Sequence, residues 1–307
     1  MSNADSVKAR LKNLAVKNGK TFQDMLIAYG LERTIYRLSV SPYVEHFTLK
    51  GGIFLYALFE GDYARSTTDI DFLAEQISND ENELKTVFAE IFRIEADDPL
   101  VFDLDTLRVE RITEFKEYHG VNISIMAFLD RTRIPVSIDI GFGDVVYPTR
   151  TMIEFPTVLS EERPKVYAYS LLSSIAEKYE AIVSLAYDNS RFKDYYDIYV
   201  LARRYDFSGK DLKEAVAETF KNRHTELKDI VAFEEGFADD PVRQSRWNAF
   251  VRKKKPLESV TLGDTLALLK RFLGPFTEDA GEEDVTDKKW DHTTGEWGYE
   301  AGLEKDS

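Results

Sequence analysis

The chain has 307 residues, with 40 Lys and Arg against 55 Asp and Glu, for a formal net charge of −15. It contains no Cys, which excludes disulfides, thiolate metal sites and cysteine nucleophiles. No run approaches the roughly 18–20 apolar residues of a membrane span, and the opening MSNADSVKARLKNLA lacks the apolar stretch of a signal peptide; a cytoplasmic protein without a membrane partner is expected.

The length suits one large domain or two ordinary ones, and 20 Phe and 16 Tyr supply material for a core. The acidic balance argues at first against a nucleic-acid partner, but it is unevenly spread. From residue 278 to the end there are 11 acidic residues against 3 lysines, so −8 of the charge lies in this stretch. Basic groups cluster at Arg203-Arg204, at Lys221, Arg223 and His224, and from Arg252 to Lys255.

Residues 1–42 read as helices that pack on a core. Val7, Leu11 and Leu14 share a face, and Phe22, Met25, Leu26, Tyr29, Ile35 and Leu38 continue the periodicity, with Gly30 a candidate break and Pro42 a stop. Residues 43–165 read as an α/β core. Phe47–Leu49 is a short buried strand; Lys50, Gly51 and Gly52 make a turn; Ile53–Phe59 is an apolar helical run. Asp69-Ile70-Asp71-Phe72 then alternates as a strand does, with Ile70 and Phe72 directed to the core and both carboxylates on the other face. Two carboxylates one strand-step apart repel, and a divalent cation between them relieves that repulsion. Glycines at a helix start let a phosphate approach the backbone N–H groups, where the helix dipole also favours an anion.

Glu81–Arg93 has the spacing of an amphipathic helix that covers the sheet. Strands follow around Phe102 to Val109, with a slip in alternation that suggests a bulge, and then a hairpin from Val121 to Phe142 turning at Leu129–Arg133. On its returning arm Val136, Ile138, Ile140 and Phe142 share a face, which puts Asp139 on the same side as Asp69 and Asp71. Asp139 is either a solvent-facing acid or the third member of a three-carboxylate, two-metal site. Asp144, after Gly143, reads as a turn residue.

Residues 166–276 are expected to be helical. Leu171, Ile175, Ile182 and Leu185 make a stripe that includes Lys178. A lysine there either snorkels to the surface or carries its ammonium to a partner such as a triphosphate. In RFKDYYDIYVLARRY, Asp194 and Asp197 lie one turn apart, and Lys193 is spaced to pair with Asp197. Further helices are expected over Asp211–Phe220, Pro241–Val251 and Leu262–Leu273, with Ser208-Gly209 capping the first of these and Gly274-Pro275 ending the last. The four histidines, His46, His119, His224 and His292, show no metal-ligand spacing. Residues 277–307 read as an acidic, mobile tail in which Trp290, Trp297 and Tyr299 hint at a docking segment.

The segment LKGGIFLYALFEGDYARSTTDIDFL, followed by IDIGFGD, Ala176-Glu177-Lys178 and the pattern R-x-K-D-x-x-D from Arg191, resembles the AbiEii/AbiGii toxin family within the polymerase β-like nucleotidyltransferase superfamily. Glu32, Arg33 and Arg37 are similar to that family's N-terminal pattern, or are surface ion pairs at helical spacing. The resemblance implies an α+β fold: a nucleotidyltransferase-like mixed β-sheet core flanked by helices, with a helical C-terminal domain. It implies Asp69, Asp71 and Asp139 as ligands of two Mg2+ ions that activate an attacking hydroxyl and neutralise a leaving pyrophosphate, with NTP as substrate. Lys50, Gly51, Gly52, Lys178, Arg191 and Lys193 become nucleotide contacts, and Lys178 and Asp194 catalytic groups, Asp194 as a candidate base; the roles of Asp194 and Asp197 stay open between themselves. The implied activity is transfer of NMP to an acceptor, with the tRNA 3′ end leading and a cognate antitoxin as protein partner. The alternatives are the same fold acting on a small-molecule or protein acceptor, a nucleotide-binding phosphotransferase, a nucleotide-binding protein without catalysis, and a protein-interaction module.

Overall fold

The computed structural model describes residues 3–62, 67–112, 120–159, 162–228, 230–254, 260–277 and 284–299; His119, Lys255 and residues 63–66, 278–283 and 300–307, which figure in the expectations above, lie outside them. The chain divides into two compact units. The first comprises Met1–Asp144 with Arg150–Tyr169, the second Val145–Thr149 with Ser170–Ser307.

The first unit opens with helices α1 (Asn3–Lys17) and α2 (Phe22–Ser39). Thr21 starts α2 with a reciprocal capping box to Asp24. Gly30 does not break it. A Cβ at that position would lie 2.7 Å from Ile134 Cγ2, so the glycine lets the helix lie close against the sheet while the helix runs through it.

The sheet has seven strands: β1 (Phe47–Lys50), β2 (Ile70–Ala74), β3 (Leu100–Ile112), β4 (Gly120–Leu129), β5 (Thr132–Phe142), β6 (Thr151–Glu154) and β7 (Lys165–Ala168), in the order β3-β4-β5-β2-β1-β7-β6. It is mixed: β2 runs parallel to β5 and β1 to β7, and the remaining pairs are antiparallel. Helix α3 (Gly51–Leu58) follows β1 directly. Helix α4 (Glu81–Arg93) is capped by Asp80, which accepts from the N–H groups of Asn82 and Glu83, and it buries Leu84, Phe88, Ile91 and Phe92.

The core lies on one face of this sheet. On β4 Val121, Ile123, Ile125, Ala127 and Leu129 are buried, and on β5 Ile134, Val136, Ile138 and Ile140. The intervening residues of β4 are half-buried, as a strand with one wet face requires. The expected slip is a register shift between β3 and β4 from Asp103 to Arg108. Strands β6 and β7 extend the sheet beyond the expected elements; each is only four residues long.

Glu32, Arg33 and Arg37 are 0 %, 5 % and 3 % exposed, so they are not surface pairs. Both guanidinium groups converge on Asp98, at 2.8 Å from Arg33 and 3.0 Å from Arg37. Glu32 accepts the Val158 N–H at 2.6 Å. Burial pushes the Glu32 carboxyl up. Burial also raises Asp98, but its hydrogen bond and charge contact with Arg37, and the charge of Arg33, outweigh this and hold it below the usual range.

The second unit is built from α5 (Leu171–Leu185), α6 (Phe192–Ala202), α7 (Gly209–Asn222), α8 (Pro241–Lys254) and α9 (Leu262–Leu273). It also carries a small sheet of β8 (Phe207–Ser208), β9 (Lys289–Asp291) and β10 (Glu296–Gly298), in the order β10-β9-β8. The stretch expected as a mobile tail thus holds a docked hairpin, because apolar burial outweighs its charge. Trp290 is 0 % exposed, donates to the Ala202 carbonyl at 2.7 Å and packs on Phe272 at 4.7 Å between ring centroids. Among the described residues no helix is long and apolar enough to cross a membrane.

Candidate active site

One row of side chains crosses the first unit's sheet on the face away from the core. Lys50 on β1 stands opposite Asp71 on β2, Asp71 beside Asp139 on β5, and Asp139 opposite Asn122 on β4. Asp69, immediately before β2, shares the side of Asp71. Asp69, Asp71 and Asp139 each offer a carboxylate oxygen, and these atoms all lie within 4.8 Å of one another. All three residues are half-buried, while Ile70, Phe72, Ile138 and Ile140 between them are at most 1 % exposed. Alternation on two parallel neighbours produces the convergence.

The surroundings orient each acid. Asn122 Nδ2 donates to Asp139 Oδ1 at 2.6 Å and to Ser137 Oγ at 2.9 Å. Thr68 donates to Asp69 Oδ1 from its backbone N–H and its hydroxyl, both at 3.2 Å. Gly51 has φ +65°, and a Cβ there would lie 2.1 Å from Asp71 Oδ2; only glycine gives the turn this shape and leaves Asp71 its place. Gly52 is buried in the first turn of α3. The donor set is oxygen only, matching a hard divalent cation such as Mg2+, so the residues present fit the implied metal.

Lys50 Nζ lies 2.6 Å from Asp144 Oδ2 and 5.4 Å from the centre of the Tyr169 ring. Asp144 is therefore more than a turn residue; its side chain is 5 % exposed and holds Lys50. Asn122 and Asp144 both escaped the sequence reading. A turn at Leu129–Arg133 fixes the hairpin register and so places Asn122 opposite Asp139. Asp144 ends the IDIGFGD segment, but nothing local marks it as the partner of Lys50, 94 positions away.

In the second unit Lys178 is 8 % exposed. Its ammonium does not snorkel: it lies 3.1 Å from Asp194 Oδ1 and 2.7 Å from Asp197 Oδ2. Arg191 Nε approaches Asp194 Oδ2 at 2.8 Å. Two carboxylates and two cations make a charge-balanced cluster, the form in which buried ions are tolerated. Lys193 stands exposed, whereas Asp197 is wholly buried on Lys178, so the expected Lys193–Asp197 pair does not form. Of the expected basic clusters, Arg223 is engaged with Glu177 and Glu180 at 3.1 and 2.9 Å. His292 joins Asp206 and Asp291 in a second convergent group. There Asp206 takes the His292 ring at 2.7 Å and its N–H at 3.0 Å, and Asp291 takes Thr293.

A strand–Gly-Gly–helix–strand unit that presents carboxylates on the open face of a mixed sheet defines a nucleotidyltransferase. The family model described as the nucleotidyl transferase AbiEii toxin of type IV toxin–antitoxin systems matches residues 33–268, and the chain belongs to that family. Membership implies a nucleoside triphosphate substrate and an antitoxin partner. Among solved structures the chain is similar to JHP933 from Helicobacter pylori, at 14 % identity and TM-score 0.43, covering 78 % of this chain and 86 % of that one. It is likewise similar to an H. pylori protein assigned as a nucleotidyltransferase, at 14 % identity and TM-score 0.42, covering 77 % and 87 %. No curated protein matches.

Proposed function

We propose that this enzyme transfers NMP from an NTP to the 3′ end of an RNA, with tRNA as the leading acceptor, in a Mg2+-dependent reaction at Asp69, Asp71 and Asp139. The observation that carries this reading is the convergence of the three carboxylates beside a glycine whose missing side chain leaves room for Asp71. Two divalent ions held there would neutralise triphosphate charge and lower the pKa of the attacking hydroxyl. In the reaction the acceptor oxygen forms a bond to the α-phosphorus and loses its proton to solvent. The bond from that phosphorus to the bridging oxygen breaks, and pyrophosphate leaves with the electron pair.

The chain's own residues divide this work. The N–H groups at Gly51 and Gly52, with Lys50 held by Asp144, cradle phosphate oxygens at the start of α3. Asn122 holds Asp139 in its orientation. In the second unit Lys178, Arg191 and Lys193 are nucleotide contacts on the family resemblance alone; Arg191 and Lys193 are exposed, whereas Lys178 is balanced by Asp194 and Asp197. Asp194 fixes Lys178 and Arg191, a role its full burial between two cations favours over that of a base.

Incubation of the protein with Mg2+, each α-labelled nucleoside triphosphate and total tRNA, beside an Asp69→Ala, Asp71→Ala double variant, tests the reading. Label on tRNA with wild type alone is the expected result. Carboxylate-dependent NTP binding without RNA label would move the acceptor to a protein or small molecule. Absence of both transfer and binding would overturn the metal site.

A further inference from the structure

The open face of the β4–β5 hairpin continues away from the carboxylates as an ordered ladder. Starting from Asn122 opposite Asp139, the pairs directly across are Ser124 and Ser137, Met126 and Pro135, then Phe128 and Arg133. Directly opposed residues on adjacent strands share a face, so all four rows lie on the side of Asp139. Their order is graded: amide and carboxylate, two hydroxyls, an apolar row, and an aromatic ring beside a guanidinium. Arg131 adds a second exposed cation at the turn that ends the lane. Thr68, next to Asp69, lines the same cavity as Ser124, Ser137, Met126 and Arg133, with a volume of about 450 Å3.

We propose that this lane binds the single-stranded 3′ end of an RNA acceptor, with its terminal hydroxyl at Asp139, its bases against Met126 and Phe128, and a phosphate at Arg133 and Arg131. The inference rests on the RNA-acceptor reading above and adds the place where the acceptor lies. Three features favour a nucleic-acid strand as occupant. From Asp139 to Arg133 is six strand residues, about 20 Å. That is longer than a compact small-molecule acceptor and on the order of three to six nucleotides. Arg131 and Arg133 bring positive charge to the far end, where an entering strand carries phosphates, and Asp130 in the same turn is paired with Lys8 at 3.2 Å. Asp103 stands opposite Met126 in the middle of the lane, and the near end is acidic and suits a neutral hydroxyl. Half-exposed Phe128 offers the kind of flat surface on which bases stack without sequence preference.

The test uses 5′-labelled RNA oligonucleotides of one to eight nucleotides with free 3′-hydroxyls, titrated onto full-length wild type and onto Phe128→Ala and Arg133→Ala. NTP binding in Mg2+ and the unfolding midpoint are measured on the same samples. Wild-type affinity should rise with length and level off within the span of the lane. Both variants should bind the shortest oligonucleotides as wild type does and lose about tenfold on the longer ones, with NTP affinity and melting unchanged. Identical length dependence in wild type and variants, with NTP binding intact, would overturn the lane and leave nucleotidyl transfer standing. NTP binding by a wild type that takes none of the oligonucleotides would overturn it in the same way and return the acceptor to another class of molecule. A wild type that binds no NTP would bring down the parent reading and the lane together.

Discussion

A methyl group at position 51 would meet Asp71 Oδ2 at 2.1 Å, in a backbone already at φ +65°. For Gly51→Ala the left-handed conformation alone costs about 1–2 kcal/mol, which should lower the unfolding midpoint by roughly 2–4 °C. Activity should suffer more than stability. Displacing a positioning group by an ångström costs on the order of 100-fold in rate, so transfer should fall by about that factor while melting changes little, as calorimetry and labelled-nucleotide assays on one preparation would show. Loss of activity in proportion to loss of folded protein would contradict this. At this scale the carboxylate trio was legible in the sequence because alternation is a two-residue rule: Ile70 and Phe72 assign Asp69 and Asp71, and Ile138 and Ile140 assign Asp139. The counter-ions were not legible. Lys50 with Asp144, and Arg33 and Arg37 with Asp98, join positions far apart in the chain, and no periodicity relates them.

Elements carry the next level of dependence. Asp98 ties α2 to the start of β3 by receiving two buried guanidinium groups, so Asp98→Asn should destabilise the protein by about 3–5 kcal/mol, chiefly by leaving Arg37 without a carboxylate and Arg33 with Glu32 alone at 3.4 Å. The sign with pH follows from a carboxyl held below its usual range. Its contribution is whole above the unfolded value near pH 3.9 and is lost as pH falls through the depressed folded value. The gap between wild type and variant in urea unfolding should therefore be constant from neutral pH down to mildly acid conditions and narrow below. Glu32, displaced upward chiefly by burial, works in the opposite direction, and the Asp98 charge adds a smaller part of that displacement, which the variant removes. A gap that narrows above pH 5 would assign the effect to another group. The amphipathic α4 and the β4–β5 hairpin were readable because each carries a full period and clear ends. Gly30 was misread because a glycine needed for close approach to Ile134 looks the same in sequence as one that breaks a helix. Strands β6 and β7, four residues each, are too short to show a period.

In the second unit, the small sheet closes through one close contact. Gly209 donates its N–H to the Lys288 carbonyl at 2.9 Å, and a Cβ there would lie 1.8 Å from the Val285 carbonyl oxygen. Gly209→Ala should wedge the docked hairpin away, at a cost of about 1–3 kcal/mol for forced overpacking. It would read out as a red shift of tryptophan emission as Trp290 becomes wet, and as faster proteolysis after residue 277. Unchanged emission would mean that the backbone accommodates the methyl group. Charge counting misled here: Asp284, Asp287, Asp291 and Glu296 are exposed on a segment whose inside is Trp290, with Trp297 stacked on Phe272 at 5.9 Å. That arrangement also sets an order of events during synthesis. A ribosome delivers Phe207 and Phe272 before it delivers the tryptophan that covers them, so this part of the second unit stays uncovered until residue 290 has been made. A copy cut short by a premature stop before that point keeps every carboxylate of the sheet yet presents bare aromatic surface to the cell's proteases, and only chains translated through Trp290 close their second unit.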